Sequence, residues 1–132
     1  MIKQISHIGI AVRDLEKAMD FYRSVFRLKP SEPIIGGEGD VKVSLVELGN
    51  TVIELLQPTG DKGAVAKFLE KRGEGIHHLC LEVDDINSEV EFLRASGVEV
   101  IGSPRPGAEG MSVFLHPRTT QGVLIELVQK EG

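Results

Sequence analysis

Cysteine is almost absent: Cys80 is the single one in 132 residues, so no internal disulfide can form and stability has to come from packing. Positive charge is in short supply too. Fifteen Lys and Arg stand against 20 Asp and Glu, for a net charge of -5, which leaves no basic face to neutralise nucleic-acid phosphates. Any anionic small molecule has to be met by local cations. There is no apolar run long enough for a signal peptide or a membrane span, so cytoplasm is the expected location. Charged residues are spread along the chain rather than gathered in a tail, and the apolar share, 41%, is that of an ordered globular protein. The length suits one domain with a real core.

What the chain does have is a copy of itself. Sliding it from position 7 to position 78 lays His7-Ile8-Gly9-Ile10-Ala11-Val12-Arg13-Asp14-Leu15 on His78-Leu79-Cys80-Leu81-Glu82-Val83-Asp84-Asp85-Ile86. His, Val and Asp coincide, and the apolar positions keep step. Farther on, Ile53-Glu54-Leu55-Leu56-Gln57 matches Ile125-Glu126-Leu127-Val128-Gln129 at nearly the same offset, in the same order. Two such matches indicate a duplicated unit.

Both halves give the same elements. Alternation around Ile8, Ile10 and Val12 predicts a half-buried strand. A helix follows, capped by Asp14, with Leu15, Met19, Tyr22 and Phe26 as its apolar stripe and Ala18 and Val25 beside it. The second copy has Asp85 as cap, Ile86, Val90 and Leu93 as stripe, and Gly97 as stop signal. Extended segments are expected at 41–48 and 51–57, turning at Gly49-Asn50, and at 98–101, 111–116 and 122–129. Each half reads β-α-β-β-β. Module one spans about 1–58 and module two about 75–132, within one domain, 1–132. A linker helix from Gly63 to Arg72, opened by Asp61 and closed by Gly73 to Gly75, offers a face for packing, dimer or substrate contact. The segment Ser103 to Gly110, with two Pro and two Gly, reads as a flap or turn.

The duplication preserves a histidine on the first strand and a glutamate on the last strand of each half: His7, Glu54, His78 and Glu126. The acids share a strand face with apolar neighbours, Val52 and Leu56 in one case, Leu124 and Val128 in the other. An unpaired carboxylate on such a face costs several kcal/mol, and neither strand offers a matching Lys or Arg. A divalent ion held by two imidazoles and two carboxylates resolves both problems together, and Gly9 and Ala11 on His7's face leave room for it. Nitrogen and oxygen donors without sulfur suit a five- or six-coordinate Co²⁺, Ni²⁺, Mn²⁺ or Zn²⁺; ligand type does not choose among them, and Co²⁺ is the first expectation. His77 points away from His78 and receives no ligand role. His116, before Pro117, reads as a loop residue.

Several segments carry a family resemblance: His7 to Val12, Ile53 to Pro58, Ala66-Lys67-Phe68-Leu69, Gly75-Ile76-His77-His78, and above all Phe114-Leu115-His116-Pro117-Arg118 followed by Gly122 to Leu127. Over essentially the whole chain the sequence resembles the vicinal-oxygen-chelate superfamily, and within it the methylmalonyl-CoA epimerase family. Glyoxalase I relatives usually carry an Asp-Pro-(Asp/Asn)-Gly turn in the last of these segments. The resemblance implies an α+β fold whose two tandem βαβββ modules form an open curved mixed β-sheet cup with helices outside. It places metal ligands at His7, His78 and Glu126, with Glu54 at a position where related enzymes have Gln or Glu. The implied chemistry is a 1,1-proton transfer at C2 of an acyl-CoA through a metal-stabilised enolate. Two groups must flank that carbon. Glu126 is the first, and Glu54, Lys42 and Glu38 compete for the second, with Glu54 preferred. Arg105, Arg118 and Lys67 are candidate cations for the CoA portion, and a homodimer is expected. Two alternatives use the same fold: glyoxalase I, with the same ligand pattern, and a non-catalytic drug-sequestering protein, in which the ligands are usually missing.

Overall fold

Leu55 and Leu56 are adjacent and both buried, as are Leu127 and Val128; since neighbouring side chains of a strand point to opposite faces, both strands are covered on two sides. The computed structural model of the chain describes residues 1–107 and 109–131. Ala108, inside the expected flap, and Gly132 lie outside them. The chain divides into two compact units, His7–His77 and Met1–Ser6 together with His78 onward.

In the first module, β1 (Ile2–Ala11) leads to α1 (Leu15–Ser24), β2 (Ile34–Gly36), β3 (Val41–Leu48), β4 (Thr51–Pro58) and α2 (Ala64–Arg72). The strands lie in the order β2-β3-β4-β1, with β1 parallel to β4 and the other pairs antiparallel. The second unit repeats the plan with β5 (Gly75–Val83), α3 (Ile86–Ala95), β6 (Val100–Pro106), β7 (Gly110–Leu115) and β8 (Ile125–Lys130), in the order β5-β8-β7-β6. Here β5 and β8 are the parallel pair. The fold is α+β, two βαβββ modules, as the repeat requires.

Each module's helix packs on one face of its own sheet. Val12, Leu15, Met19, Val46 and Leu55 form one core; Val83, Ile86, Val90, Val113, Leu115 and Leu127 form its counterpart. Burying each such aliphatic side chain contributes about 1.5–3 kcal/mol. The caps are the expected ones: Asp14 accepts from the Lys17 N–H at 3.1 Å and Asp85 from the Ser88 N–H at 3.2 Å. A second bond, not foreseen, closes each helix start. The Gln57 side chain accepts from the Leu15 N–H at 2.7 Å, and Gln129 accepts from the Ile86 N–H at 2.8 Å. The repeated glutamine ties the last strand of each module to its helix by occupying an otherwise orphaned donor.

Some expectations need correction. Helix α1 stops at Ser24, so Phe26 leaves the stripe and is exposed; it packs edge-on against Phe21 and Tyr22 instead. The short strand β2 had no periodicity long enough to reveal it. Helix α2 starts from Gly63, with no side-chain cap from Asp61. Its Val65 packs on a third cluster, Val41, Val43 and Leu56, so packing is one role of the linker helix. The expected flap is largely strand: β6 runs to Pro106 through a register shift between Ile101 and Arg105. The Gly107 N–H then donates to the Gly110 carbonyl at 2.7 Å. A Cβ on Gly110 would collide with the Gln129 carbonyl oxygen, so the hairpin requires glycine there. Strand β8 begins at Ile125 rather than 122, because 117–122 form a short 3-10 turn and its exit.

Candidate metal centre

Both His–Glu pairs predicted from the repeat form contacts within their own modules. In the first unit Gly9 lies opposite Glu54 in the parallel β1–β4 pairing, and His7, two residues back on the same face, brings Nδ1 to 3.4 Å from a Glu54 carboxylate oxygen. The second unit repeats this register. Cys80 lies opposite Glu126, and His78 Nε2 is 3.3 Å from Glu126 Oε1. Both imidazoles are buried; the carboxylates keep 18% and 16% of their side-chain surface exposed. Each module thus aims one imidazole nitrogen and one carboxylate at each other on a largely covered sheet face. One imidazole nitrogen and one carboxylate are donors of the kind a divalent ion takes, and their contact lowers the cost of burying the carboxylate there.

The sheet geometry sorts the other candidates. On β3, Leu45 pairs with Glu54 and Lys42 with Gln57, so period two puts Lys42 on the opposite face from Glu54. It shares that face with Val46, which packs with α1. Lys42 therefore falls away as Glu54's competitor for the second acid/base role. Glu38 lies in the β2–β3 turn, its N–H donating to Asp40 at 3.2 Å. His77 turns away from His78 and meets the Phe68 ring edge-on at 5.2 Å. His116 Nδ1 accepts from the Arg118 N–H at 3.1 Å, a structural cap.

Among the proposed CoA-binding cations, Arg118 is engaged by Glu99 through two hydrogen bonds of 2.7 and 3.0 Å. That pairing holds the Glu99 carboxyl below its usual range and pins the β7–β8 connection. Lys67 and Arg105 are exposed, on α2 and β6. Sequence reasoning missed Glu82. It is buried on the His78 and Cys80 face, accepts from the Gln4 amide at 3.0 Å, and has Lys3 and Lys130 at 3.4 and 3.6 Å. The Gln4 hydrogen bond first, then the two ammonium groups, depress its pKa. The repeat offered no signal, because the first copy has Ala11 at that position.

Residues 6–114 match the family model described as Glyoxalase/Bleomycin resistance protein/Dioxygenase superfamily. The chain belongs to that superfamily. Within the superfamily it is 46% identical over 132 residues to the mitochondrial methylmalonyl-CoA epimerase of Dictyostelium discoideum, covering 98% of this chain and 80% of that protein. It is 43% identical over 133 residues to the ethylmalonyl-CoA/methylmalonyl-CoA epimerase of Cereibacter sphaeroides, covering 98% and 99%. A solved structure of Streptomyces coelicolor methylmalonyl-CoA epimerase in complex with 2-nitronate-propionyl-CoA superposes with a TM-score of 0.91 at 34% identity, over the full length of both chains. No helix among the described residues is long and apolar enough to cross a membrane.

Proposed function

We propose that this chain is an isomerase that interconverts (2R)- and (2S)-methylmalonyl-CoA by metal-dependent proton transfer at C2. The observation that carries this reading is the His–Glu contact repeated at 3.4 and 3.3 Å, in a chain whose full-length relatives bear epimerase names. The two modules act as one vicinal-oxygen-chelate domain, 1–132. His7, Glu54, His78 and Glu126 hold the ion, Co²⁺ before Ni²⁺, Mn²⁺ or Zn²⁺. When bound, the ion supplies Lewis acidity where negative charge develops on the thioester oxygen.

The protein's own groups move the proton. Inversion needs one group to remove it and a second to return one on the opposite face. Glu126 serves on one side, as a carboxylate fixed against His78 yet still partly exposed. Glu54 serves on the other, fixed in the same way against His7; Glu38 is its competitor. The enzyme works as a homodimer in the cytoplasm, on an acyl-CoA, with no nucleic-acid or membrane partner.

The test is a substrate comparison before and after EDTA treatment. Methylmalonyl-CoA and ethylmalonyl-CoA should turn over in the metal-loaded protein and stop with chelation. Turnover of the methylglyoxal–glutathione hemithioacetal alone would make the chain a lactoylglutathione lyase instead.

A further inference from the structure

The two half-sites are not equivalent. On β5, Cys80 follows His78 by two residues, so both side chains share a face, and Cys80 is fully buried. The β5–β8 register sets Cys80 directly across from Glu126, and its Sγ lies within 4.8 Å of a Glu126 carboxylate oxygen. In the first module the corresponding position opposite Glu54 is Gly9, which has no side chain to offer. One half-site therefore carries a sulfur that the other lacks.

We propose that Cys80 is an additional, soft metal donor of the second half-site, drawn in by thiophilic ions and left aside by hard ones. The inference rests on the metal-site reading above. Thiolates favour zinc and its heavier relatives, whereas manganese prefers carboxylate and water. Donors to one zinc ion stand roughly 2.0–2.3 Å from it, so from within 4.8 Å the two groups share an ion by drawing together by at most about an ångström. The sulfur–metal bond forms as the thiol proton leaves to solvent. Sulfur would then bind beside Glu126, so Cys80 sets which ions the site retains.

Cadmium and manganese separate the two behaviours. Metal-free wild type titrated with Cd²⁺ should develop an ultraviolet sulfur-to-metal charge-transfer band, absent from C80A and C80S, and Cd²⁺ affinity should fall at least about tenfold in both variants. Mn²⁺ affinity, followed by electron paramagnetic resonance, should stay within about twofold of wild type. C80S keeps the side chain's size should C80A fold poorly, and the wild-type band needs neither variant. Wild type that binds both ions without a sulfur band overturns the role of Cys80 and leaves the metal site standing. Wild type that binds neither ion overturns both.

Discussion

Glu126 is where the account is most exposed to a single substitution. Glu126→Gln keeps the side chain's length and one oxygen facing His78 but removes the charge and the basic site. Exchange at C2 should fall by about 10²–10⁴-fold even in protein reloaded with metal, the scale of a lost general base, while the circular dichroism spectrum stays native. Full activity would remove the mechanism. Glu54→Gln and Glu38→Gln assign the second group: the account expects loss of inversion in the former and retention in the latter. At this scale the sequence was informative about the two His–Glu contacts, because a residue that is ambiguous alone becomes legible when it recurs in a second copy. His7 with His78 and Glu54 with Glu126 were found that way. Glu82 and Cys80 were not, since each aligns with a small residue of the first copy, Ala11 and Gly9, and only burial and strand register expose what they touch.

Among the elements, the repeated Gln57 and Gln129 hold helix starts. Replacing either by Ala leaves the Leu15 or Ile86 N–H without its bond and should cost about 1 kcal/mol of stability, read as a lower urea midpoint at unchanged slope. The glutamines were visible in the duplicated segment, yet their purpose was not, because a strand residue bonding a distant helix terminus leaves no local pattern. The Asp caps and apolar stripes did, and α1 and α3 start where they were expected. Strand β2 and the β6–β7 hairpin escaped for the opposite reason: three residues are too few to show a period, and Pro and Gly in 103–110 imitate a loop. Glu82 joins β5 to the first residues of β1 and to β8. Its folded pKa lies below the unfolded value, so its contribution is complete above the ordinary carboxylate range and is lost as pH falls through the folded pKa. Urea melts of wild type and Glu82→Gln should differ most near neutrality and converge in acid; a constant gap would assign Glu82 no pH-linked role.

For the whole molecule, duplication explains how so short a chain comes to carry two His–Glu contacts. One βαβββ module needs to specify only a histidine and a glutamate in contact, and copying it supplies the second pair without a new fold. That economy made the fold class readable from two matched segments, whereas the assembly of copies of the chain leaves no such trace. The proposed homodimer should sediment at twice the chain mass, and a monomer at working concentration would remove that part of the proposal. The central claim is metal-dependent proton transfer at C2. Its most direct test is incubation of the Co²⁺-loaded protein with (2S)-methylmalonyl-CoA in D₂O, beside an EDTA-treated control, following configuration and deuterium at C2 together. The account predicts inversion accompanied by deuterium in the loaded protein and neither in the control. Inversion without label, or undiminished inversion after the metal is removed, would contradict it.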